Sequence, residues 1–175
     1  MEGCRSAVIK GDSFPPALED LLERLRDSLD NPVSSRALKL IIPLKGSVSI
    51  LVPDTTRGVG TRIVLPMLLD YLSAEGLENR RIRVVIAGGA HRTLKEPEIR
   101  AHLGDRVYKR YEVIQHKAGG KENVIDIGTT SYGTPVRINR MVAESSLIIS
   151  LGPVSFHYFA GFGGGRKLIM PGVAG

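Results

Sequence analysis

An imidazole and an amine, His157 and Lys167, stand at the two ends of the run His-Tyr-Phe-Ala-Gly-Phe-Gly-Gly-Gly-Arg-Lys, just after the apolar, strand-like stretch Leu147 to Leu151. Glycines at 161, 163, 164 and 165 remove the Cβ atoms that would hold a ligand off the backbone. They also allow positive φ angles that aim several N–H groups at one point. Arg166 and Lys167 add positive charge, so the stretch reads as a holder for an anionic ligand, with Gly163, Gly164 and Gly165 as its cradle and His157 placed to move protons. Two familiar phosphate motifs do not fit. A P-loop needs Gly-Lys-Ser/Thr, but Arg166 separates Gly165 from Lys167 and Leu168 stands where the hydroxyl belongs. A dinucleotide fingerprint counted from Gly161 meets Arg166 at its third glycine.

Two other segments carry chemistry. His91 follows Gly88-Gly89-Ala90 at a strand end, where it suits proton transfer or, equally, a turn in which it bonds the backbone. Asp54-Thr55-Thr56-Arg57 follows another strand end. Arg57 suits bidentate capture of a carboxylate, against the alternative of a surface ion pair. Thr55 and Thr56 are ready phosphate ligands, and Asp54 is either part of that site or the N-cap of the next helix. On composition alone Lys167 is a plain phosphate counter-charge. His102 and His116 are expected in structural or surface roles, and Phe156, Tyr158, Phe159 and Phe162 are expected to pack the glycine loop against the domain.

These residues need a scaffold, and the hydrophobic pattern supplies one. Leucines at 18, 21, 22, 25 and 29 make a helical stripe over Pro15 to Leu29, which Asp30-Asn31-Pro32 stops. Val48 to Val52 predicts a strand, and Arg62 to Ala74 a helix with Gly76 beyond its end. Ile82 to Ala87 predicts a second strand. A helix follows to about Leu103, entered through a capping box of Thr93 and Glu96. Shorter strands are expected over Tyr111 to Gln115, Val124 to Ile127 and Pro135 to Ile138, with a turn at Ser131-Tyr132-Gly133 and a short helix over Met141 to Ser145. Alternating strands and helices predict an α/β fold with an open, largely parallel, Rossmann-like sheet flanked by helices. Ligands of such sheets bind beyond the carboxyl ends of the strands, so the three chemical segments are expected to converge there.

Composition is consistent with this reading. A chain of 175 residues, 42% apolar, suits one domain that folds without disulfide or metal. The single cysteine, Cys4, points to a reducing compartment. With no membrane-length apolar run and no signal-peptide pattern at the N-terminus, the expected location is the cytoplasm. The net charge of +6 comes from scattered residues, and aromatics are only 5%, which argues against a nucleic-acid platform.

Pro153, then Phe156 to Phe162, Gly164-Gly165-Arg166-Lys167 and Pro171-Gly172 together resemble the signature of the nickel-pincer lactate racemase family. Asp54-Thr55-Thr56-Arg57 resembles its Asp-x-Thr-Arg motif, and Gly89-Ala90-His91-Arg92 its Gly-Thr-His-Arg turn. The resemblance covers the N-terminal part of a family member. It implies a cofactor-binding domain of a two-domain 2-hydroxy-acid racemase that works by hydride transfer. The nickel-pincer nucleotide would be attached at Lys167, His91 and His157 would be general acid and base, and Arg57 would hold the substrate carboxylate. It further implies that the nickel-ligating histidine lies beyond Gly175, together with a C-terminal domain, so that this chain alone is inactive and itself supplies no metal ligand. Gly58-Val59-Gly60 in place of the family's proline, and Ala90 in place of its threonine, bear on the identity of the substrate. Two other classes stay open on the residues themselves. One is a non-catalytic module for a nucleotide or phosphorylated small molecule, and the other a histidine-metal hydrolase, for which no ligand spacing is present.

Overall fold

The computed structural model describes residues 19–57 and 60–175. Cys4 and the first residues of the predicted leucine-striped helix lie outside them. Helix α1 runs over Leu21–Asp30, strand β1 over Val48–Val52, α2 over Thr61–Ala74 and β2 over Ile82–Ile86. After α3 (Glu96–Leu103), α4 (Asp105–Arg110) and β3 (Glu112–Gln115), a hairpin of β4 (Val124–Thr129) and β5 (Pro135–Asn139) leads through α5 (Arg140–Ala143) to β6 (Leu147–Ser150). A small hairpin, β7 (Phe156–His157) and β8 (Gly161–Phe162), and a 3-10 turn over Gly165–Leu168 follow.

The main sheet has the order β3-β2-β1-β6, and every pair in it is parallel. The chain builds outward from β1 through β2 to β3, then returns to β1's other side for β6. Strand direction therefore reverses its lateral progress at β1, and that reversal opens a crevice at the carboxyl edge. Both faces are covered, and the side chains alternate accordingly. Val48, Ile50, Val52, Ile82, Val84 and Ile86 join the larger core with Leu65, Leu68, Leu69 and Leu72 of α2. Leu51 and Val85 face the other way, onto Ile138, Val142, Leu168 and Val173. This is an α/β fold with an open parallel sheet flanked by helices. Among the described residues no helix is long and apolar enough to cross a membrane.

Leu72 is fully buried in the larger core. Leu72→Ala is therefore expected to destabilise the domain by about 2–5 kcal/mol, read from the urea unfolding midpoint.

Two local expectations are corrected. Helix α3 begins at Glu96, not at a Thr93 cap, and its first turn is closed by Glu98 Oε2, which accepts from the Lys95 N–H at 2.8 Å. Pro97 sits in that first turn, where a missing N–H costs nothing and φ is already helical, and this shifts the start downstream. The aromatics of the β7–β8 hairpin do not pack the loop against the domain. Phe156, Tyr158 and Phe159 are 88%, 94% and 89% exposed. They pair among themselves instead, Phe156 with Phe162 at 5.3 Å between ring centroids and Tyr158 with Phe159 at 5.0 Å. Strands of two residues are too short to carry a side chain back to the core.

Candidate active site

The ladder extends one residue past the strands: Ala87 N donates to Val52 O at 2.8 Å, and Leu151 N to Leu51 O at 2.9 Å. The loops after β1, β2 and β6 thus begin at one level, and they enclose a single cleft of about 450 Å³. The β1 loop contributes Asp54 and Arg57, the β2 loop Gly88 to His91, and the chain after β6 contributes His157, Gly163, Gly164 and Lys167. Pro171 and Gly172 form part of the floor, and Gly89 N is tied to Gly172 O at 2.9 Å. Close packing of the backbone makes glycine necessary at 164. Its φ is 76°, and a Cβ there would lie 2.7 Å from Pro153 O.

Asp54 is buried and does not cap α2, which starts seven residues later at Thr61. Its Oδ1 accepts from the Thr56 hydroxyl at 2.6 Å and the Thr56 N–H at 3.1 Å, and its Oδ2 lies 2.6 Å from His91 Nδ1. Burial pushes this carboxyl up, but the Thr56 hydrogen bond and the His91 contact outweigh it, and the group stays below its ordinary value. The His91 ring, itself exposed, is thus anchored through one nitrogen. Beneath this pair, buried His102 donates from Nε2 to Pro53 O at 2.8 Å, bracing the residue before Asp54. His116 donates likewise to Ala174 O at 2.8 Å, so both of these histidines are structural.

Across the cleft, His157 Nδ1 accepts from the backbone N–H groups of Phe159 and Ala160, each at 3.2 Å. Desolvation, then Lys167 and Arg57, lower the His157 pKa. Desolvation and Arg57 likewise lower that of Lys167. A lysine so placed has a larger neutral, nucleophilic fraction than a surface lysine. Asp54, already engaged by His91, is the one carboxylate lining the cleft among the described residues. The cleft is therefore cationic and suits an anion.

Not every candidate from the sequence lines this space. Thr55 is exposed outside it, Thr56 uses its hydroxyl on Asp54, and Gly165 and Arg166 are exposed at the start of the 3-10 turn. Ser155, Phe159 and Ala160 line it without having been singled out as ligands. The ring-to-backbone turn that recruits the last two has no sequence signature. Among the described residues no three His, Cys, Asp or Glu side chains gather as a metal site.

Fold and cleft together define an α/β domain with a cationic cleft at the carboxyl edge of its sheet, between two imidazoles. Residues 4–175 match the family model described as the lactate racemase N-terminal domain, and the chain belongs to that family. It is 34% identical over 156 residues to a lactate racemase of Thermoanaerobacterium thermosaccharolyticum, covering 89% of this chain and 36% of that protein. It is 35% identical over 152 residues to a lactate racemase of Lactiplantibacillus plantarum, covering 87% and 36%. The lactate racemase apoprotein structure from T. thermosaccharolyticum superposes with a TM-score of 0.80 at 34% identity, over 89% of this chain and 36% of that one. A Thermotoga maritima crystal structure, 24% identical with a TM-score of 0.68 over 95% and 40%, shares the fold. The chain thus spans 36% of the length of the curated relatives it matches.

Proposed function

We propose that this chain is the cofactor-binding and catalytic N-terminal domain of a cytoplasmic 2-hydroxy-acid racemase or epimerase, with lactate or a close analogue as substrate. The observation that carries the reading is the meeting of His91, His157, Arg57 and a Lys167 of lowered pKa around one cleft. Those residues fit a nickel-pincer nucleotide. The cleft of about 450 Å³ has room for a mononucleotide, its free charges are cationic, and Lys167 is suited to covalent attachment. When bound, this group supplies an acceptor and donor of hydride for the substrate's carbon. The protein's own share is to position the substrate and handle protons. Arg57 holds the substrate carboxylate, and the two imidazoles serve the hydroxyl proton, His91 through the Nε2 that its Asp54 contact leaves free. A C-terminal domain, corresponding to the part of the relatives this chain does not span, completes the site and excludes water. The 175 residues alone are accordingly expected to fold without racemising 2-hydroxy acids.

The test uses the full-length protein made in cells that synthesise the nucleotide. Mass spectrometry should find a sulfur-bearing nucleotide adduct on Lys167, and chiral chromatography should show D- and L-hydroxy acids interconverting. A bound nucleotide with no interconversion of any 2-hydroxy acid would favour a non-catalytic binding module instead.

A further inference from the structure

The two imidazoles of the cleft are held by opposite kinds of partner. His91 Nδ1 faces a carboxylate, which can only accept, so Nδ1 carries a proton and Nε2 is left for a ligand. His157 Nδ1 faces two N–H groups, those of Phe159 and Ala160. It must hold a lone pair toward them, and the proton of the neutral ring then sits on Nε2. In that tautomer the ring offers the cleft an N–H and has no lone pair free to take a proton. Charging the ring would place a hydrogen on Nδ1, against two donors, and both turn bonds would be lost together.

Resting on the racemase reading above, we propose that His91 and His157 are not interchangeable. His157 is a fixed Nε2–H donor to a ligand oxygen in the resting cleft, and it takes up a proton only when the Tyr158–Ala160 turn releases its Nδ1. Phe159 and Ala160 both line the cleft, so proton uptake at His157 and the shape of the cleft mouth become one event. The charged groups around the ring act in the same direction. Lys167 of the 3-10 turn and Arg57 of the β1 loop disfavour its charge, and Asp54, the carboxylate of the cleft, is committed to His91. A folded-state value below the ordinary one means the turn is retained above the usual histidine range and lost as pH falls through the lowered value. A carboxylate seated on Arg57 offsets part of the repulsion, so ligand entry favours the charged ring.

A racemase has an equilibrium constant of one, which forces kcat/KM to be equal in the two directions at every pH, so the asymmetry must be read from the rings themselves. The experiment is two-bond 15N–1H NMR of the 175-residue chain with labelled histidine, without nucleotide, across about pH 5 to 8. The expected result is neutral His157 as the Nε2–H tautomer and His91 as the Nδ1–H tautomer. The Phe159 and Ala160 amide shifts should follow the His157 titration, and their hydrogen exchange should rise on the order of tenfold as the ring charges. In His157→Phe these two amides should exchange fast at every pH. If that variant does not fold, the parent's tautomer and titration still decide. Neutral His157 with its proton on Nδ1, or amides indifferent to its titration, would overturn the proposal. None of these readouts needs nucleotide or turnover, so failure of the racemase reading, seen as an absent Lys167 adduct, is a separate result.

Discussion

On the proposed racemase reading, His91→Ala in the full-length protein is expected to lower racemisation by roughly 10²- to 10⁴-fold while leaving the nucleotide attached at Lys167. Lys167→Ala is expected to remove the nucleotide and with it all turnover. The two effects separate because an attachment residue governs occupancy, whereas an acid–base residue governs the chemical step. The geometry makes the comparison clean. The His91 side chain is 55% exposed, so its removal opens no cavity in the core. Adduct mass and turnover, measured on the same preparations, check both claims, and equal loss of adduct in both variants would contradict the assigned roles. Acid sensitivity adds a second reading. The Asp54 carboxyl lies below its ordinary value, so its hold on His91 persists above the usual carboxylate range and is lost only as pH falls through the lowered value. Activity lost at a higher pH than that would therefore not report Asp54.

Gly172→Ala is expected to destabilise the domain by at least about 1–3 kcal/mol and to disturb the floor of the cleft. A Cβ there would lie 2.7 Å from the Leu168 carbonyl carbon and 2.8 Å from Leu168 Cα. Leu168 cannot give way, because its side chain is buried in the smaller core against the sheet. Gly172 also accepts from Gly89 N and donates to Lys167 O at 3.1 Å, linking the β2 loop to the lysine. Gly88→Ala is the control. A Cβ there meets nothing within 4 Å, and its φ is not in the left-handed region, so the change should be neutral or stabilise by up to about 1 kcal/mol. Thermal unfolding of the two variants checks the contrast.

The strands that place the site were legible in the sequence because β1, β2 and β6 are short apolar runs that stop at Pro53, Gly88 and Gly152, where the chemistry begins. Convergence of the three loops followed from their parallel order. What the pattern could not show is pairing across the chain. Asp54 and His91 are 37 positions apart, and their contact depends on a register that only the folded sheet sets. Thr56 illustrates the same gap, since its hydroxyl suited a phosphate by type but is turned to Asp54 by the β1 loop. The exposed rings of Phe156, Tyr158 and Phe159 were misjudged for a related reason: residue type predicts burial only when the backbone can reach a core, and this hairpin cannot.

A sheet whose strands all run one way has a back as well as a front. Every side chain of the cleft leaves the carboxyl edge, and the amino edge, where Arg80 precedes β2, takes no part in it. Arg80 is 81% exposed, and the strand separates it from the β2 loop by roughly 16–20 Å at about 3.3 Å per residue. A fluorophore or surface tether placed there, through Arg80→Cys with Cys4 replaced by serine, would sit well clear of the cleft, in the short 3-10 turn that leads into the strand carrying the His91 loop. The domain thus comes with a natural handle for following occupancy of the cleft in single molecules.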